Sequence, residues 1–182
     1  LGLSRPHMPY KALIMSILIS PMIVPLIITA AGMFFFYARI NLVYTFTGVI
    51  LAHVALATPF VVITVTATLV GFDMNMVKAA QSLGAKPMRT FFKVIMPLIL
   101  PGIISGALFA FITSFDEVVI VMFMASIDQL TIPKQMWAGI RQEISPVILC
   151  MATCLVILSI VLLTTVELLR RRAERLRGIK AR

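Results

Sequence analysis

Two acids, Asp116 and Glu117, stand side by side in FITSFDEVVIVMF, a stretch that is otherwise almost wholly apolar. An ionised carboxylate placed in hydrocarbon costs roughly 2.5 to 3.5 kcal/mol on insertion scales, so such groups usually face a bundle interior or a wet cavity. Adjacent carboxylates can hold an organic cation through charge-assisted hydrogen bonds. They can equally serve structure, bonding helix ends or backbone at the rim of a membrane. Ser114 lies two residues before the pair and belongs to the same region. Trp137, in TIPKQMWAGIRQEISP, suits either an interfacial anchor or a gate at the mouth of a path, and the anchor is the commoner use of Trp. His53 reads as a hydrogen-bonded interior residue, and Thr64, Thr66 and Thr68 as hydroxyls that bond back to their own helix. Cys150 and Cys154 share a helix face, yet no His or carboxylate lies near enough in sequence to complete a metal site. No nucleophile–base constellation and no G-x-x-x-x-G-K-[ST] phosphate loop is present, so the chain reads as a non-enzyme without a nucleotide or metal cofactor of its own.

The elements that must position these residues are membrane helices. Of the 182 residues 60% are hydrophobic and 13% charged, with mean hydropathy +1.05. A soluble domain carries about 25% charged residues, so too little polar surface remains to coat a globule. Four apolar runs are long enough to span a bilayer, at about 12–37, 42–70, 94–124 and 147–169. Pro21 and Pro25 interrupt the first, Pro59 the second, and Pro97 and Pro101 enter the third; all five are candidate flex points. The fold class expected is all-α, a single polytopic helix bundle over 1–182.

The net charge is +9, but seven of the sixteen basic residues lie in the terminal RRRAERLRGIKAR. A basic cluster beside a span fixes topology or touches anionic lipid, and nucleic acid is not an expected partner. With positive flanks kept inside, the N-terminus, the 71–93 segment and the tail 170–182 all fall on the cytoplasmic face.

The 71–93 segment carries two helix patterns. Asp73 is placed to cap a first helix, whose face is Met76, Ala79, Ala80 and Leu83 at i, i+3, i+4, i+7. Gly84 is a C′ stop, and Pro87 opens a second short helix with Met88, Phe91, Phe92 and Ile95 on one face. The expected result is two short amphipathic helices at a right-angle break. They fit a docking element, since Ala79, Ala80, Gly84 and the neighbouring Ala85 allow close approach, or an interfacial helix resting on lipid. Gly102, Gly106, Ala110 and Ser114 form a small-xxx-small stripe for helix packing, with Glu117 about 20° from Gly106 on the helical wheel.

KAAQSLGAKPMRTFFKVIMPLILPGI, residues 78–103, resembles the EAA signature of inner-membrane permeases of binding-protein-dependent ABC importers. Lys78, Ala79, Ala80, Gly84, Pro97 and Pro101 fall on that pattern in order. ATPFVVITVTATLVGFD, SFDEVVIVMF and EISPVI are similar to the second permease subunit of spermidine/putrescine importers. The resemblance implies a type I importer transmembrane domain in the bacterial inner membrane, multi-pass, with the loop as coupling element. The partners it implies are a second permease subunit, two ATP-binding cassette ATPases that carry the ATP and Mg, and a periplasmic solute-binding protein. The cargo implied is a polyamine or related small cation; an amino acid such as GABA, an opine or an aminophosphonate is the alternative, because specificity in the family resides largely in the binding protein, and the acid pair also resembles that of relatives that import uncharged or zwitterionic solutes. A non-transporting four-helix scaffold is the rival of another class. The family has six spans, so the first two are expected to be missing here. Lys78 stands where the pattern has Glu, which reverses the charge at the edge of the docking loop.

Overall fold

The computed structural model of the chain describes residues 2–5, 8–142 and 145–176. The described residues are helical with no strand: α1 (Lys11–Ile23), α2 (Leu26–Arg39), α3 (Phe46–Val70), α4 (Asn75–Ser82), α5 (Pro87–Thr90), a π-helical turn Phe91–Ile95, α6 (Met96–Phe115), α7 (Val119–Met124), α8 (Ile132–Gln142) and α9 (Pro146–Leu176). Three stretches are long and apolar enough to cross a membrane: Phe46–Val70, Pro87–Phe115 and Pro146–Leu168. A fourth is available if α1 and α2 are taken as one span.

That fourth span is bent more sharply than the proline-interrupted helix expected over 12–37. The two helices meet at 109°. Pro25 sits at the N-cap of α2 with extended Val24 before it, whereas Pro21 stays inside α1. Proline lacks the N–H that would continue α1, and its ring disfavours helical geometry at residue 24. The stretch expected over 94–124 also breaks. α6 ends at Phe115, and α7 restarts at Val119 after three non-helical residues. The expected fourth span, 147–169, coincides with the apolar stretch Pro146–Leu168, and its helix α9 continues into the basic tail as far as Leu176. Residues 177–182 of the basic tail, and Glu143, lie outside the described residues.

α3 packs most extensively against α6. Gly102 and Gly106 are buried there: a Cβ on Gly102 would collide with the Thr68 side chain, and one on Gly106 would come 3.2 Å from the Val61 Cα. Thr64 Oγ1 donates to the Phe60 carbonyl at 2.7 Å and Thr68 Oγ1 to the Thr64 carbonyl at 2.8 Å, so both hydroxyls are satisfied within α3. Two apolar clusters close the ends of this pair. Leu69, Val77, Ile95 and Ile99 join it to α4; Ala30, Ala52, Leu56, Ile120 and Met124 join its other end to α2 and α7. The rest of the chain buries little, with side chains such as Phe35, Phe36 and Ile157 exposed, as for surfaces meeting lipid or other subunits.

Because lipid gives helices no hydrophobic reason to associate, the glycine notch is what holds α3 to α6. Gly106→Leu is expected to destabilise the fold by about 1–3 kcal/mol through overpacking. The check is the melting temperature of the purified protein in detergent; an unchanged value would place the helix contact elsewhere.

Candidate functional site

The loop site is built around α4. Met74, not Asp73, is the N-cap of α4, but Asp73 Oδ1 accepts from the Asn75 N–H at 2.9 Å and so braces the helix start from one position earlier. The end is a Schellman closure: Gly84 N–H donates to the Gln81 carbonyl at 2.9 Å and Ala85 N–H to the Ala80 carbonyl at 3.0 Å. Gly84 has φ 78°, the left-handed geometry that such a closure demands and that glycine adopts without steric cost. Val77 is the buried residue of α4. Met76, Lys78, Ala79 and Leu83 are exposed, Leu83 by 88%, while Ala80 and Ala85 are half-buried. The face grouped in the sequence therefore points away from this chain, and the neighbouring Val77 anchors the helix.

The second short helix is not separate. Pro87 does start α5, but α5, the π turn and α6 run on as a 29-residue stretch, Pro87–Phe115. The Met96 N–H reaches back five residues to the Phe91 carbonyl, a one-turn widening ahead of Pro97. The expected face of residues 88–95 is divided: Met88 and Phe92 are exposed, while Phe91 and Ile95 pack on Leu69, Val77 and Ile99. Among the remaining prolines, Pro59 is buried within α3, Pro97 lies in the first turn of α6 and Pro101 lies inside it.

The acid site forms where two broken helices face each other. A cleft of about 550 Å³ is lined by the α1–α2 elbow from Pro21 to Leu26, by Leu56 and Phe60 of α3, and by Thr113 and Asp116–Val119. Asp116 is exposed to it as the C-cap of α6, and among the described residues no hydrogen bond engages its carboxylate. Glu117 is only 6% exposed. Its Oε1 accepts from the Ile120 N–H at 2.8 Å and its Oε2 from the Val121 N–H at 3.1 Å, so both oxygens cap the start of α7. The wheel that set Glu117 beside Gly106 does not apply, since the helix stops two residues earlier.

Ser114 is occupied too, its Oγ lying 2.8 Å from His53 Nδ1. Trp137 is half-exposed on α8, which lies against α9, and is not among the residues lining the cleft. Of the three threonines, Thr64 and Thr68 bond back to their helix and Thr66 has no such bond. Cys150 and Cys154 are exposed, and the described residues hold no group of three metal-ligating side chains. The elbow and Phe60 were missed in the sequence; the Pro21–Pro25 spacing was the available signal.

These features define a class: a polytopic helical membrane protein with an acid-lined cleft at one end of its central helix pair and a capped, solvent-facing helix at the other. The chain belongs to the inner-membrane components of binding-protein-dependent transport systems, whose family model matches residues 2–175. It is 29% identical over 172 residues to the spermidine/putrescine transport system permease protein PotC of Haemophilus influenzae, covering 94% of this chain and 67% of that one. It is 37% identical over 103 residues to the putrescine transport system permease protein PotI of Escherichia coli, covering 57% and 37%. The molybdenum transport system permease protein ModB of Escherichia coli is 32% identical over 155 residues, covering 76% and 68%. The chain thus spans about two thirds or less of the length of the polyamine permeases it matches.

Glu117→Ala would leave two buried N–H groups without acceptors. It is expected to cost about 2–6 kcal/mol, at about 1–3 kcal/mol for each orphaned group, whereas Asp116→Asn should leave stability within about 0.5 kcal/mol of wild type. Thermal unfolding of the two purified variants side by side checks this; equal melting temperatures would remove the capping role.

Proposed function

We propose that the chain is a permease subunit of a type I ABC importer that moves polyamines or related small organic cations across the bacterial inner membrane. The observation that carries the cargo reading is the cleft: one free carboxylate, Asp116, faces an otherwise mostly apolar elbow with Phe60 on its wall. A polyamine presents ammonium groups joined by methylene stretches, and the cleft offers a partner for each. The polyamine transport named for PotC and PotI supports the same reading. The partners proposed are a second permease, two ATPases docked on residues 74–95, and a periplasmic binding protein. The loop and the C-terminus then lie on the cytoplasmic side, and the whole of 1–182 forms one transmembrane domain.

Coupling follows from how α4 is anchored. Closure of the ATPases would press on the exposed face of Met76, Ala79 and Leu83. Val77 sits in one apolar cluster with Leu69 of α3, with Ile95 at the base of the helical rod and with Ile99 of α6, so the load passes into that pair. The pair carries Asp116 at its far end, and its movement against the elbow opens or closes the cleft. A second reading keeps the transport and changes the cargo to another solute class; the likeness to a permease named for molybdenum transport favours keeping it in view.

The test is ATP turnover and uptake by the reconstituted complex with its binding protein, solutes being added singly. Putrescine or spermidine should stimulate both, and Asp116→Asn should lower uptake at least about tenfold, the weight of a charge-assisted hydrogen bond. Gly84→Asp should assemble yet lose solute-stimulated turnover. Stimulation by an amino acid or an oxyanion alone would overturn the cargo, and full coupling in Gly84→Asp would overturn the docking role of the loop.

A further inference from the structure

His53 lies on α3 at i−3 from Leu56 and i−7 from Phe60, on the helix face that lines the cleft. Its Nδ1 is 2.8 Å from Ser114 Oγ, and Ser114 is the penultimate residue of α6, two before Asp116. The other ring nitrogen, Nε2, is buried and has no hydrogen-bond partner among the described residues. Ser114 is therefore the single polar partner of the ring among these residues. Among the described residues this is also the one hydrogen bond between side chains that joins α3 to α6. Elsewhere the two helices meet through Gly102 and Gly106 against Thr68 and Thr64, contacts that fix the separation of the axes. A directional bond at the last turn adds what those contacts lack, because it fixes the rotation of the α6 end about its own axis.

We infer that His53 is a positioning residue: through Ser114 it sets the direction in which Asp116 enters the cleft, and thereby how strongly a cation is held there. This rests on the proposed role of the cleft. The bond sits where it matters most, since the helix ends one residue beyond Ser114 and no further helical turn holds Asp116. Thr113, next to Ser114, lines the same cleft, so a twist of this turn moves two lining residues together.

The experiment uses the assembled importer with Cys150→Ser and Cys154→Ser as background and has two readouts. The first does not depend on cargo: the rate at which a cationic methanethiosulfonate reagent modifies an added Asp116→Cys, with and without His53→Leu, Ser114→Ala or both. The second is the concentration dependence of polyamine uptake in the same variants with Asp116 intact. His53→Leu and Ser114→Ala should each change the labelling rate about tenfold, the weight of one hydrogen bond. The double variant should change it no further. Both should raise KM for uptake by a similar factor at unchanged maximal rate. His53→Asn, which offers an amide at the place of Nδ1, should restore both readouts to within about twofold. Labelling that is unchanged, or effects that multiply in the double variant, would overturn the positioning role. So would a fall in melting temperature with KM unchanged, which is the mark of a purely structural bond. If labelling responds as expected but wild type takes up no polyamine, the positioning of Asp116 stands and the cation reading of the cleft falls.

Discussion

The close contact of α3 with α6 is the constraint on which the rest of the molecule depends. In lipid the tails are as apolar as leucine, so two helices stay together only if they pack better with each other than with the solvent. Gly102 and Gly106 allow that packing, and the threonines opposite spend their hydroxyls inside α3 rather than across the interface. The result is a close-packed seam, to which Phe60 and Phe109 add a stacked pair with ring centroids 6.4 Å apart. The cluster at the loop end needs this pair as its floor: Val77 could not anchor the loop helix without Leu69 and Ile99 side by side. Likewise, Ile120 and Met124 could not seat α7 without Ala52 and Leu56.

Breaking a helix inside such a layer exposes backbone groups that lipid cannot satisfy. The interruption at residues 116–118 answers that cost with Glu117, whose two oxygens accept the Ile120 and Val121 N–H groups. The two acids that look equivalent in SFDEVV therefore divide the work. Glu117 holds the new helix in place, and this leaves Asp116 as the carboxylate that faces the cleft. The elbow between α1 and α2 stands opposite, so two interruptions bound the cleft together with the continuous wall of α3.

How much of this was legible in the sequence depended on how local the cause was. Asp73, Gly84 and Pro87 act within a turn of themselves, and their roles at the ends of α4 and the start of α5 could be read from residue type. The packing stripe at Gly102 and Gly106 was legible because its period is that of the helix. The elbow was not, because Pro21 and Pro25 present the same local chemistry. Only one ends a helix, and the packing of α1 on α3 and of α2 on α7 accompanies that difference. The helical wheel failed at Glu117 because it assumes the helix continues. The His53–Ser114 bond joins positions 61 apart, a distance over which no periodicity carries information. The likeness of residues 78–103 to the EAA signature pointed to the family, but it did not single out Val77 as the residue of α4 that faces inward.

The proposed coupling also has a mechanical side. The rod from Pro87 to Phe115 is about 42 Å long, and its glycine notch lies about 22–28 Å from the loop end and about 14–20 Å from the acid end. A rod that rocks about that notch moves its ends in proportion to the two arms. The acid end then travels between about half and nine-tenths as far as the loop end, so opening the cleft by about 2 Å needs roughly 2–4 Å at α4. Such a rod transmits force only as well as its weakest turn. The widened turn at Phe91–Ile95 and the missing N–H of Pro97 both lie in the loop-side arm, where the Ile95 and Ile99 contacts brace them. The acid-side arm, by contrast, contains no proline beyond Pro101 and ends in the His53–Ser114 bond. Compliance is thus concentrated where the ATPases would push, and stiffness where a cation would be held, so movement of the loop reaches Asp116 as a change of position with its local geometry kept.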